Sequence, residues 1–177
     1  TLDPGTVNSV SARDNGANKV LYFAVDSSKV LPRRQIVSQA KCTGCHSELP
    51  FHGGGRNQVE YCILCHNHGV TDSAQRAAGD KAESINFKTM IHKIHTGEEL
   101  TTDFTVMGYG NSTNNYNEVA YVGDRRSCER CHLPGTYDLQ VALYDYTATH
   151  PYDHRLHALR FDIEPGEPHQ QHGIVAL

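Results

Sequence analysis

Residues Lys41 to His66 read KCTGCHSELPFHGGGRNQVEYCILCH, and this stretch holds one motif twice: Cys42-Thr43-Gly44-Cys45-His46 and Cys62-Ile63-Leu64-Cys65-His66. A third copy, Cys128-Glu129-Arg130-Cys131-His132, follows downstream. Together the copies use all six cysteines of the chain, so no thiol is left for a disulfide or a lone nucleophile. C-x-x-C-H is the attachment signature of c-type haem. Two thiols three positions apart can add across the two vinyl groups of a haem, and the next residue then lies under the iron as its proximal ligand. On this reading Cys42, Cys45, Cys62, Cys65, Cys128 and Cys131 anchor three haem c groups, and His46, His66 and His132 are the proximal ligands. Zinc is the competing reading, because the sixteen residues between Cys45 and Cys62 fit a zinc ribbon. A ribbon requires neither a histidine directly after each cysteine pair nor a third pair with the same ending. Thioredoxin-like redox pairs fit less well still, since three of them would have to share the trailing histidine.

A chain of 177 residues predicts one domain with at most an appendage. Its apolar content is 38% and it has no tryptophan, which is thin material for an ordinary core. Three macrocycles would supply the missing apolar bulk. The expected fold is therefore a multihaem cytochrome c, mostly irregular, with a few short helices wrapped around haems and short β-strands at the N-terminal end. The apoprotein is expected to fold poorly. Residues 1–37 read as a β-rich segment, 38–137 as the trihaem core and 138–177 as a histidine-rich extension. Within the first segment, Val20-Leu21-Tyr22-Phe23-Ala24-Val25 is rich in strand formers and follows the turn signal Asn15-Gly16, so it reads as a strand that could pair with Val7–Val10.

Net charge is −4, and haem propionates would add to it. Arg33, Arg34, Lys41, Arg125, Arg126 and Arg130 stand close to the motifs in sequence, where they could offset those propionates or simply face solvent. The basic residues form no dense run, so nucleic acid is not an expected partner. No stretch approaches the twenty or so apolar residues of a membrane span, and no signal-peptide pattern follows Thr1. Haem attachment to C-x-x-C-H takes place outside the bacterial cytoplasm. The expected location is extracellular or at the cell surface, with the periplasm as the alternative.

Nine histidines remain after the proximal three, for at most three distal positions. His52, in Phe51-His52-Gly53-Gly54-Gly55, stands only six positions after His46, a reach of about 20 Å. Reaching the far face of that same haem would be tight, so His52 is expected to serve a neighbouring haem; the plainer reading is a loop histidine in solvent. Asn86 to Gly97, NFKTMIHKIHTG, is the best helix in the chain, with a cap at Asn86, a stop at Gly97 and an apolar stripe of Phe87, Ile91 and Ile94. His92 and His95, three apart, project from nearly one face. Each is read as the distal ligand of a different haem; a two-histidine metal site and a satisfied core pair are the rivals. His68 reads as a surface or hydrogen-bonding residue. Asn111-Ser112-Thr113, inside a polar loop from Gly108 to Tyr121, matches a glycosylation sequon of little weight.

Several runs carry a family resemblance: Leu31-Pro32-Arg33-Arg34-Gln35-Ile36-Val37, the two close motifs around Phe51-His52-Gly53-Gly54, Phe87 to His95, Gly123-Asp124-Arg125-Arg126 and Pro134-Gly135-Thr136-Tyr137. Over about residues 20 to 140 the chain resembles the decahaem outer-membrane cytochromes of metal-reducing bacteria, the OmcA/MtrC family. The resemblance implies a pentahaem domain after a β-barrel-like one, bis-histidine haems with His52, His92 and His95 as distal ligands, and electron export to extracellular acceptors. The chain departs from that pattern after the third motif, where two further motifs would stand. It runs instead through a tail containing His150, His154, His157, His169 and His172. The tail reads as a solvated extension; alternatively His150, His154 or His157 replaces a distal ligand or reaches a haem of another subunit. Three haems make a short wire, so the expected partners are other multihaem cytochromes or copies of itself, in an oligomer or filament, together with an extracellular acceptor. Electron transfer by haem-to-haem hopping, without bond-making on a substrate, is the expected function. The alternative is a multihaem reductase with one open iron acting on a small oxyanion or sulfur compound.

Overall fold

The computed structural model describes residues 18–144 and 151–165. Val7–Val10, His150, His169 and His172 lie outside these residues. Three short helices, α1 (Gln39–Thr43), α2 (Val59–Cys65) and α3 (Phe87–Thr96), are followed by two antiparallel hairpins. Strand β1 (Thr105–Gly108) pairs with β2 (Ser112–Asn115), and β3 (Gly135–Tyr144) pairs with β4 (Pro151–Ile163). The rest of the described chain is turns and irregular segments, as the composition predicts.

The three motifs fold into one local shape. In each, the histidine backbone N–H donates to the carbonyl of the first cysteine four residues earlier: His46 to Cys42 at 2.9 Å, His66 to Cys62 at 2.9 Å and His132 to Cys128 at 2.8 Å. That helical turn brings the two cysteines, three apart, onto one side. α1 runs into the first motif and α2 into the second, while the third is a single 3-10 turn, Cys128–Arg130.

The first motif stands between the other two. Toward the second, the Gln39 amide donates to Asn57 O at 2.7 Å and its oxygen accepts from Val59 N at the start of α2. Toward the third, Leu133 N donates to Ile36 O at 2.8 Å, Val37 bridges to His132, and Lys41 Nζ donates to Glu129 O. α3 hangs from the second motif, because Phe87 N donates to His66 O at 2.9 Å and the Asn86 amide to Asn67 O at 3.0 Å.

α3 forms as its sequence dictates. The Asn86 side chain accepts from Lys88 N, and Gly97 closes the helix at φ 49°. An added Cβ at Gly97 would run into the carbonyl of Val119, so only glycine fits there. Beyond the helix, Asp72 is the main polar tie. Its Oδ1 accepts from Arg76 Nε and from Glu83 N, both at 2.8 Å, while Oδ2 accepts from Met107 N at 2.9 Å and faces Arg76 Nη2 at 2.7 Å. This one carboxylate joins the turn at Ser73–Gln75, the loop before α3 and strand β1. Nearby, Phe104 is fully buried, stacks on Tyr116 at 5.8 Å and carries Lys93 Nζ 4.6 Å above its ring.

Three expectations need correction. The Val20–Val25 segment forms no strand: Leu21, Phe23 and Val25 are 72%, 81% and 98% exposed, and the segment lies on no described sheet edge. Strand-forming side chains are not enough without a partner whose N–H and C=O groups complete the ladder. The described strands lie instead in the second half of the chain. Gly108 to Tyr121 is not wholly a loop either, because a tight turn through Gly110 at φ 67° and Asn111 at φ 60° folds β2 back onto β1. Similarly, β3 starts at Gly135 and continues into what reads as a solvated tail, so ladder-paired strands occupy its first part.

Candidate haem-binding site

Each motif histidine faces one of the three candidate distal histidines. The ring centres of His46 and His95 are 6.0 Å apart, those of His66 and His52 6.0 Å, and those of His132 and His92 5.9 Å. A first-row metal holds an imidazole nitrogen at about 2 Å and the ring centre lies about 1 Å further, so two imidazoles on opposite sides of one ion stand about 6 Å apart. All three pairs meet that spacing, and the residues present therefore fit an axially ligated haem at each motif.

Tautomers agree with the spacing. Nδ1 of His66 donates to Ile85 O at 2.8 Å, Nδ1 of His92 to Lys88 O at 2.6 Å and Nδ1 of His95 to Ile91 O at 2.8 Å. A carbonyl can only accept, so Nδ1 carries the proton in each and Nε2 keeps its lone pair for a metal. For the two α3 histidines the acceptor is the carbonyl four residues earlier on the same helix, so the backbone itself orients the rings. Partial burial pushes the imidazoles of His52 and His132 down, helped by Arg56 and His66 at the first and by His92 and Lys41 at the second, which favours the neutral ring in each. His52 sits at φ 52°, followed by Gly53 at φ 78° and Gly54 at φ 86°. A left-handed histidine is strained backbone, and here it begins the turn that brings its ring to His66.

No disulfide joins any of the six cysteines. Burial pushes Cys42, Cys62 and Cys131 up, with Cys131 and Cys62 adding to Cys42 and Cys45 adding to Cys131. A redox C-x-x-C pair needs the opposite shift, toward thiolate. These couplings repeat the placement of the first motif between the other two. Among the described residues no three His, Cys, Asp or Glu side chains gather as a metal-binding group, so the zinc-ribbon reading has no cluster to rest on.

Two tyrosines flank the histidines edge-on, Tyr121 against His95 at 5.8 Å and Tyr137 against His132 at 5.1 Å. Tyr137 also anchors the long hairpin. Its hydroxyl donates to Leu133 O at 2.6 Å, its ring stacks on Phe161 at 5.9 Å, and the Arg34 guanidinium lies 5.1 Å above it. His157 of the tail lies beside Asp138, with Nδ1 3.0 Å from its carboxylate, and His68 is exposed. The sequence reading missed Asp72 and the two tyrosines. The four-residue spacing of Asp72 and Arg76 was the available signal for the first; nothing local marks the others.

Repeated C-x-x-C-H turns, each facing a second histidine across the width of one metal ion, define a c-type cytochrome. Residues 34–157 match the family model of outer membrane cytochrome MtrC/MtrF-like, domains II/IV. The chain belongs to that family. Neither curated proteins nor solved structures gave a match. The family is one of extracellular electron-transfer cytochromes that act with other multihaem cytochromes, so haem c is the cofactor class and the cell exterior or surface the location. No helix among the described residues is long and apolar enough to cross a membrane.

Proposed function

We propose that the chain carries three covalent haems, with axial pairs His46–His95, His66–His52 and His132–His92, and that it conducts electrons without acting on a substrate. The observation that carries this is the common 5.9–6.0 Å separation of the three pairs. When bound, the haem irons supply one-electron chemistry, cycling between ferric and ferrous states. The chain's residues do the rest. The cysteines would attach each haem, the facing imidazoles would hold its iron, and carbonyl acceptors at Ile85, Lys88 and Ile91 hold the rings in the metal-binding tautomer.

The position of α1 supports a wire in the order second, first, third motif. His92 and His95 on one helix tie the third motif to the first, and Gln39 ties the first to the second. A reductase needs an iron with one open side, and a facing histidine at every motif argues against it. Visible spectra of the oxidised, reduced and carbon-monoxide-treated protein, with a haem count by mass, test the reading. Three haems per chain with sharp low-spin bands indifferent to carbon monoxide are expected. A high-spin fraction that binds carbon monoxide overturns it in favour of the reductase.

A further inference from the structure

The three histidine pairs differ in one respect that bears on where an electron rests. Each has one imidazole whose Nδ1 donates to a backbone carbonyl: His95, His66 and His92. Their opposite numbers diverge. His46 and His52 are more exposed residues than His132, whose Nδ1 is buried and has no hydrogen-bond partner. A donated Nδ1–H makes the coordinating nitrogen a stronger electron donor and stabilises the oxidised metal. His132 lacks that assistance.

A second, independent feature acts in the same direction. The part-buried Lys41 ammonium donates to Glu129 O, inside the third motif. A cation held by a backbone carbonyl and only partly exposed favours the less positive state of a nearby iron, ferrous over ferric. Arg56, beside the second pair, is exposed, where solvent screens its charge.

We propose that the third motif is built as the highest-potential site of the three, with Lys41 and the unpartnered Nδ1 of His132 as the groups that set it. This rests on the haem assignment above. Because the third motif lies at one end of the second–first–third order, the gradient gives the wire a direction, toward Cys128–His132.

An NMR-monitored redox titration of the intact holoprotein tests this. Haem methyl signals with contacts to the Tyr137 ring identify the third haem, since Tyr137 packs edge-on against His132, so the assignment does not depend on a variant. The third haem should take up its electron first as the potential is lowered. In Lys41→Gln its step should move to lower potential while the other two stay, and Lys41→Arg should restore it. A different haem reduced first, or a Lys41→Gln protein in which all three steps move together or none moves, overturns the inference. Fewer than three low-spin haems would instead overturn the haem assignment, so the two failures read differently. If Lys41→Gln does not fold, the order of reduction in the native protein decides.

Discussion

The imidazole planes of His46 and His95 cross at 78°, whereas those of His66 and His52 lie at 33° and those of His132 and His92 at 24°. Near-parallel ligand planes split the iron d orbitals that point between them, and crossed planes leave those orbitals nearly degenerate. The oxidised protein should accordingly give two kinds of low-spin electron paramagnetic resonance signal, one strongly anisotropic and two rhombic. His95→Ala should remove only the anisotropic one; loss of a rhombic signal instead would show that the pairing is wrong. Asp72 sets a second expectation at this scale. Burial alone would raise its carboxyl, and the bonds from Arg76, Met107 N and Glu83 N override that and hold it below the ordinary carboxylate range. Its contribution to stability is thus full above the unfolded value of about 4 and is lost as pH falls through the lower folded value. Asp72→Asn should cost about 3 kcal/mol in urea unfolding of the holoprotein at neutral pH, since it removes the charge partner of the largely buried Arg76. The cost should shrink on acidification; a variant as stable as the parent at pH 7 would discount the tie. Residue types at the site were legible because C-x-x-C-H ties chemistry to spacing. Which second histidine faces which motif was not, because that depends on how α1 and the third motif cross in space.

Among elements, α3 was the most legible, since its cap at Asn86, its apolar stripe and its stop at Gly97 are all written locally. Hairpins were the least legible. The β1–β2 and β3–β4 pairs are stabilised by cross-strand partners rather than by their own residues, and the strand-forming Val20–Val25 lacks such a partner among the described residues. Helix α3 also carries the sharpest prediction at this level. Gly97→Ala combines a left-handed backbone with a collision against the Val119 carbonyl, and should destabilise the holoprotein by more than about 1 kcal/mol. Because α3 holds both His92 and His95, the same variant should broaden the spectra of the first and third haems and spare the second. Equal broadening of all three would mean that α3 is not the shared support.

For the whole molecule, Leu49, Val59, Phe104, Val106 and Ile163 are the buried hydrophobic side chains among the described residues. So few apolar contacts cannot offset the entropy of ordering a chain this long. Protein expressed without haem attachment, or with all six cysteines replaced by alanine, should show no cooperative thermal transition and poorly dispersed amide resonances. A cooperative melt of such a protein would mean that the polypeptide is its own core. The placement of the facing histidines also carries a timetable. His52 precedes His66 within one short stretch, so the second site can close before the later segments arrive. His46 must wait for His95, and His92 for His132, each across a far longer loop. Maturation should then run from one end of the second–first–third order to the other: the second site completes itself locally, the first when α3 arrives, and the third last, when the remaining chain folds back to join it.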